Sequence, residues 1–375
     1  MLFDIKEDDE PPVMSQETGG DLQPPALQDR LYGQEAAEQQ ILTMFNQNRM
    51  PHALMLVGPK GVGKATFVYR LVRFLMKQER AENAGGLFGA EEPAAAHHSL
   101  DVAADEAVFG KIAAGGHPDF LLVEPPTDPK TGRVKNDIPV EAIRRINPFI
   151  RKTAAEAAWR IVMVDEADSM NRNAQNALLK ILEEPPKNSL ILLVCHRTGT
   201  LLPTIRSRCA VLKFGTLSEE IVARFTAKTG AADNLNDLIA LMAQGSLGRL
   251  SFFEDEAAVQ ILETLHGLMA RWPDMKWTDI HRMAEQAGRA ANKQHEHVIK
   301  LYFDTLLTIL AKAKAMGQPP PHAFSGEGFQ NLMREKTAGD FCDWHKDILY
   351  RLDQAQFANL DLRNVILNVF RVVLS

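Results

Sequence analysis

Along the chain, short unbroken apolar runs alternate with stretches whose apolar residues return every three or four positions, and this alternation stops near residue 214. Ala53-Leu-Met-Leu-Val57, Phe120-Leu-Leu-Val123, Arg160-Ile-Val-Met-Val164 and Leu190-Ile-Leu-Leu-Val194 have the length and continuous hydrophobicity of strands covered on both faces. Residues 33–45, 67–74 and 174–182 carry apolar positions at helical spacing. Doubly covered strands separated by helices predict a parallel α/β sheet. From residue 215 no such run recurs, and the spacing stays helical through 221–226, 238–242, 259–268, 297–311 and 365–373. The C-terminal part is therefore expected to be all-α.

Two segments break the pattern. Residues 1–27 hold Pro11, Pro12, Gly19, Gly20, Pro24 and Pro25 among acids, with too little apolar surface to offset the entropy of ordering, so a flexible acidic tail is expected. Residues 79–116, rich in Ala, Gly and Glu, are expected to form a partly ordered insertion. The expected division is a tail at 1–27, an α/β domain at 28–215 and two helical units at 216–254 and 255–375. Gly245-Ser-Leu-Gly248 predicts a helix junction, and Trp272-Pro273-Asp274 a break near a boundary. At about 150 residues per domain, 375 residues with 45% hydrophobic content support two or three domains.

Charge and cysteines narrow the function classes. The 48 acids exceed the 42 Lys and Arg by six. Asp4, Glu7, Asp8, Asp9, Glu10, Glu17 and Asp21, opposed by Lys6 alone, account for that excess. The remainder is neutral, so contact with nucleic acid has to come from a local basic face or from partner chains. Lys130, Arg133, Lys135, Arg144, Arg145, Arg151 and Lys152 form the densest basic stretch, interrupted by Asp137 and Glu141; it reads equally as a DNA-phosphate face and as a solvated helix face. Cys195, Cys209 and Cys342 form no Cys-x-x-Cys pair, which predicts reduced thiols. With acids at the N-terminus and no apolar run of membrane-spanning length, a cytoplasmic protein without membrane association is expected.

Gly58-Pro-Lys-Gly-Val-Gly-Lys64 directly follows the first strand and precedes a helical stretch. Glycines at Gly58, Gly61 and Gly63 let backbone N–H groups turn inward around a phosphate, the helix N-terminus adds partial positive charge, and Lys64 reaches the outer phosphates. ATP is the candidate ligand. The next position of this motif supplies a hydroxyl for Mg²⁺, but here it is Ala65. Thr66 does not substitute directly, because one residue along a helix turns the side chain by about 100°. Nucleotide binding, weak or structural, is thus better supported than hydrolysis. At the end of the third strand, Asp165-Glu166-Ala167-Asp168 places a carboxylate to support Mg²⁺ through water and a second to polarise an attacking water. The pair reads as a working site, as a vestige of one, or as a solvated strand end.

Asn173-Ala-Gln-Asn-Ala-Leu-Leu-Lys-Ile-Leu-Glu-Glu-Pro-Pro186, Gly116-His-Pro-Asp119, Asp165-Glu-Ala-Asp168 and Ser207-Arg-Cys209 together resemble the AAA+ clamp-loader ATPases, most closely the delta prime family of bacterial DNA polymerase III subunits. The likeness runs from about Gln28 to Phe214 and more loosely beyond, where Ala358-Asn-Leu-Asp361 is similar to the family's last helix. It implies a RecA-like P-loop module followed by a helical lid and a helical collar that holds a ring together. It implies as partners other clamp-loader subunits of gamma/tau and delta type, indirectly the sliding clamp, and primed DNA. It also implies that Arg208 is offered in trans to a neighbour's ATP. Many relatives carry a four-cysteine zinc module in the insertion. This chain has no cysteine there, and His97 and His98 beside Asp101 are a poor substitute, so no zinc is expected.

Two further positions depart from a motor subunit. Cys195-His196-Arg197 occupies the stretch where the family's motors sense the γ-phosphate. In Gly245-Ser-Leu-Gly248 a glycine replaces the lid arginine, and Arg249 comes one place late. With Ala65, these favour a mostly non-catalytic member that supports ATP-driven clamp loading. The alternatives are an active gamma-type motor or another AAA+ remodeller using Lys64, Asp165 and Glu166 in cis, and a nucleotide-sensing scaffold outside replication.

Overall fold

A computed structural model describes residues 22–78, 96–128, 134–135, 137–227, 233–289, 293–358 and 360–374. Strands β1 (Ala53–Val57), β2 (Phe120–Val123), β3 (Arg160–Val164), β4 (Ser189–Cys195) and β5 (Ala210–Lys213) form one parallel sheet in the order β2-β3-β4-β1-β5. The first four are the apolar runs of the sequence. β5 was not anticipated, because it lies at the sheet edge, buries Leu212 and leaves Val211 exposed, and so shows no continuous hydrophobic run.

The helices of the first half are α1 (Glu35–Asn46), α2 (Lys64–Lys77), α3 (Ala107–Ala113), α4 (Val140–Arg144), α5 (Ile146–Ile150), α6 (Arg172–Glu183) and α7 (Pro203–Arg206). Alternate strand residues serve opposite faces, as the two-residue period of a strand requires. Leu54, Leu56, Ile161, Met163, Leu190 and Leu192 join Ile41 of α1 and Phe67, Leu71 and Leu75 of α2 in one cluster. Met55, Val162, Val164, Ile191 and Leu193 join Ile143, Ile146, Leu178 and Ile205 in another. This two-sided covering is why the strands read as unbroken apolar runs.

After β5 only helices follow among the described residues: α8 (Glu219–Thr226), α9 (Asp233–Ala243), α10 (Leu247–Leu250), α11 (Glu256–Met269), α12 (Trp277–Arg289), α13 (Lys293–Met316), α14 (Glu327–Glu335), α15 (Ala338–Ala358) and α16 (Leu362–Val373), with short 3-10 turns between them. Their apolar cluster is continuous from Leu217 to Val373. The stripe of Ile299, Tyr302, Phe303, Leu306, Leu307 and Leu310 on α13 is buried inside the chain, so this stripe does not itself face a partner. Leu360-Asp361 stands before the last helix, and the Asp361 side chain caps it by accepting from the Arg363 N–H at 3.1 Å.

The expected tail includes residues 22–27, and the structure packs these against the body. The buried Arg73 guanidinium donates to the carbonyls of Ala26 and Gln28, and Arg70 donates to that of Asp29. Two arginines on a helix interior cannot be recognised as chain anchors from spacing alone, because the carbonyls they hold lie more than forty residues away. Residues 1–21 of the tail and 79–95 of the insertion lie outside the described residues, while part of the insertion forms α3. No described helix is long and apolar enough to cross a membrane.

Candidate functional site

The glycine-rich loop joins β1 to α2 as the sequence predicts. Gly61 and Gly63 take φ of +79° and +100°, backbone that a side-chain-bearing residue enters only with strain. Lys64 opens α2 and is 3% exposed. Its amine donates to the carbonyls of Gly58, at 2.7 Å, and Pro59. Burial lowers its pKa to about 8 against the opposing pull of the Asp165 and Asp168 carboxylates. Ala65 and Thr66 are both half-buried in the first turn of α2.

At the end of β3, burial pushes the Asp165 carboxyl above its usual pKa, and the Glu166 charge adds to the rise. Glu166 sits at φ +50° and accepts from the Lys60 amine at 2.5 Å. Asp168 binds the stretch after β4: its Oδ1 accepts from the His196 N–H at 3.0 Å and lies 3.3 Å from the ring Nδ1. Burial opposes ionisation of Asp168, but the bonds from His196 outweigh it and hold the carboxyl at about 2. Cys195 is fully buried and its thiol is pushed far up by burial.

The residues partly fit a nucleotide. The loop glycines and Lys64 can hold phosphates through N–H groups and an amine, although the amine must first leave two carbonyls. For Mg²⁺ the donor set is short, since Ala65 brings no hydroxyl and burial disfavours the charged form of Asp165. Bound ATP would supply phosphates for the loop; the magnesium that phosphoryl transfer needs would find Asp165 but no hydroxyl at position 65.

The lid junction closes directly on this loop. The Ser246 hydroxyl donates to the Lys60 carbonyl and the Gly248 N–H to the Gly61 carbonyl, each at 2.9 Å. A Cβ at Gly248 would stand 2.6 Å from the Gly61 Cα, so at this approach only glycine fits. Arg249 turns the other way, with Nη1 donating to the Met242 carbonyl at 3.3 Å. Gly248→Ala is expected to wedge lid and loop apart and to cost about 1–3 kcal/mol, read as a lower urea midpoint. An unchanged midpoint would mean that this contact does not hold the lid.

Arg208 follows α7 and precedes β5. Its Nη1 donates to the Thr204 carbonyl at 3.0 Å and its Nη2 lies 2.9 Å from Glu183 Oε1, with the side chain 35% exposed. Its polar partners therefore lie on α6 and α7 rather than on the loop at Gly58. Of the basic stretch, Lys135, Arg144, Arg145, Arg151 and Lys152 are exposed, whereas Lys130 and Arg133 lie outside the described residues. Among the described residues, no three His, Cys, Asp or Glu side chains gather as a metal site.

A family described as "DNA polymerase III, delta subunit" matches residues 33–218, the stretch that contains the loop, both acidic positions and Arg208. DNA polymerase III subunit delta' of Pseudomonas aeruginosa is 35% identical over 158 residues, covering 42% of this chain and 41% of that protein. Over this stretch the chain is similar to DNA polymerase III delta' subunits. The Bacillus subtilis delta' subunit is 27% identical over 229 residues, covering 59% of this chain and 62% of that protein. The matched stretch thus spans less than two thirds of either relative's length. A gamma subunit-related protein of Thermotoga maritima superposes with a TM-score of 0.41 at 16% identity, covering 89% of this chain and 98% of that one, too loosely to carry an argument.

The sequence singled out His117-Pro-Asp119 without a role for it. In the structure Asp119 is fully buried and accepts the N–H groups of Ala155, Glu156 and Ala157 at 2.7, 2.7 and 3.0 Å, while Arg160 Nη2 lies 3.2 Å away. His117 Nδ1 accepts from the Asp119 N–H at 3.1 Å, which leaves its other ring nitrogen to carry the proton of the neutral form, and burial lowers its pKa. The motif builds the turn that delivers β3, and hence Asp165. Glu183 carried no role in the sequence, because its partner Arg208 lies on another element.

Proposed function

We propose that this chain serves as a mostly non-catalytic subunit of a cytoplasmic clamp loader, supporting ATP-driven placement of the sliding clamp on primed DNA. Its partners are subunits of gamma/tau and delta type. It supplies Arg208 in trans to a neighbour's ATP, where a planar, permanently charged fork stabilises negative charge building on the transferring phosphoryl group. Its own site holds ATP weakly or structurally through Gly58, Gly61, Gly63 and Lys64, and Asp165 and Glu166 are vestigial. The domain plan that goes with this role is the P-loop module at 28–215, the lid at 216–254 and the collar at 255–375.

The observation that carries the reading is the state of the chain's own cradle. Lys64 is bonded to loop carbonyls, the lid is bonded to the loop, Glu166 is paired with Lys60, and the position after Lys64 lacks a hydroxyl. Such a site has no arrangement for ordering a metal and an attacking water. The pure chain is therefore expected to turn over ATP far more slowly than about one per second, with no further loss in Lys64→Ala. Turnover near that rate, abolished by Lys64→Ala, would instead identify a gamma-type motor.

A further inference from the structure

The guanidinium of Arg208 is held from two elements. Thr204 on α7 accepts a hydrogen bond from Nη1, and the carboxylate of Glu183, the last residue of α6, forms an ion pair with Nη2 at 2.9 Å. Of the five N–H donors of an arginine, one is thus hydrogen-bonded, and a second nitrogen faces a carboxylate. A fork anchored at two nitrogens has lost much of its rotamer freedom before any partner docks, and can still donate to a phosphate.

Glu183 has little structural reason to be acidic. A carboxylate at a helix C-terminus faces the negative end of the helix dipole, where a cation is the stabilising choice. The pair is also open to water, with the Glu183 side chain 51% exposed and that of Arg208 35% exposed, and exposed ion pairs contribute little to stability. The ion pair makes better sense as a brace for the arginine than as a brace for the fold.

We propose that Glu183 is the positioning residue for Arg208, setting the direction in which the guanidinium leaves the subunit surface. This rests on the proposed role of Arg208. Glu183 touches no reacting atom, so its loss slows turnover without changing how ATP binds.

The test compares Glu183→Ala, Glu183→Gln, Arg208→Ala and the Glu183→Ala/Arg208→Ala double variant in the assembled complex, measuring kcat and KM for ATP, with thermal unfolding of each purified chain alongside. Glu183→Ala is expected to lower kcat about fivefold, the rate equivalent of losing an exposed ion pair, at unchanged KM and unchanged unfolding temperature. Glu183→Gln keeps an acceptor for Nη2 and should stay near the unsubstituted rate, and the double variant should be no slower than Arg208→Ala alone. Full kcat in Glu183→Ala, with Arg208→Ala slow, overturns the positioning role and leaves the Arg208 reading standing. So does a Glu183→Ala loss that multiplies with that of Arg208→Ala, since the carboxylate would then act independently. Full kcat in Arg208→Ala overturns both.

Discussion

Arg208→Ala is expected to slow hydrolysis at the neighbouring subunit's site by about 10³-fold, the lower end of what an arginine supplied in trans contributes to phosphoryl transfer. Assembly should be unaffected, because the side chain is partly exposed and its ion pair with Glu183 is solvent-facing; such pairs are worth about 0–1 kcal/mol. Arg208→Lys should restore little of the rate, since an ammonium on a flexible stem cannot reproduce a planar fork. Single-turnover hydrolysis in the reconstituted complex, with subunit content checked by gel filtration, reads both halves. Wild-type turnover in Arg208→Ala would remove the role proposed for this residue, and loss of the complex would recast Arg208 as an assembly contact.

The second large effect falls on stability. Asp119→Ala removes a fully buried carboxylate and orphans the N–H groups of Ala155, Glu156 and Ala157. It also takes the nearby carboxylate from Arg160, which stays bonded to the carbonyls of Phe149 and Thr153 at 2.9 and 2.7 Å but keeps a buried positive charge. Breaking such a pair from one side costs about 3–5 kcal/mol, visible as a large drop in the urea midpoint at neutral pH. The acid dependence follows from the same contacts. Burial raises the Asp119 pKa, but the three N–H bonds and the Arg160 charge outweigh it, leaving the carboxyl below its ordinary value. A carboxylate depressed in the folded state stabilises above its unfolded pKa of about 3.9 and loses that contribution as pH falls through the folded one. The gap between Asp119→Ala and the unsubstituted protein should therefore narrow in acid. A neutral-pH midpoint within error of the unsubstituted protein would show that the carboxylate is dispensable.

Local information was enough for the elements whose signals are dense and close in sequence. A loop of three glycines and a lysine between an apolar run and a helix can hardly fold otherwise, and the strands β1 to β4 declare themselves because both of their faces are covered. β5, half-exposed at the edge, does not. Helices α12, α14 and α15 were also unannounced: they are built largely of polar residues around a narrow apolar stripe, and their packing partners are remote in the chain.

By itself the amino-acid order determined the chain's class, its phosphate loop, the missing hydroxyl at Ala65 and the presence of an arginine in a Ser-Arg-Cys context, because each depends on residues within one short window. Only the tertiary structure decided what those residues touch. It showed that Gly248 is a glycine because the lid meets the loop at Gly61, and that Asp119 binds a turn some thirty-six residues away. It showed too that Glu183 and Arg208, on different elements, form one pair. These are contacts across long chain separations, whose geometry depends on how the packed elements are oriented, and no local periodicity records that.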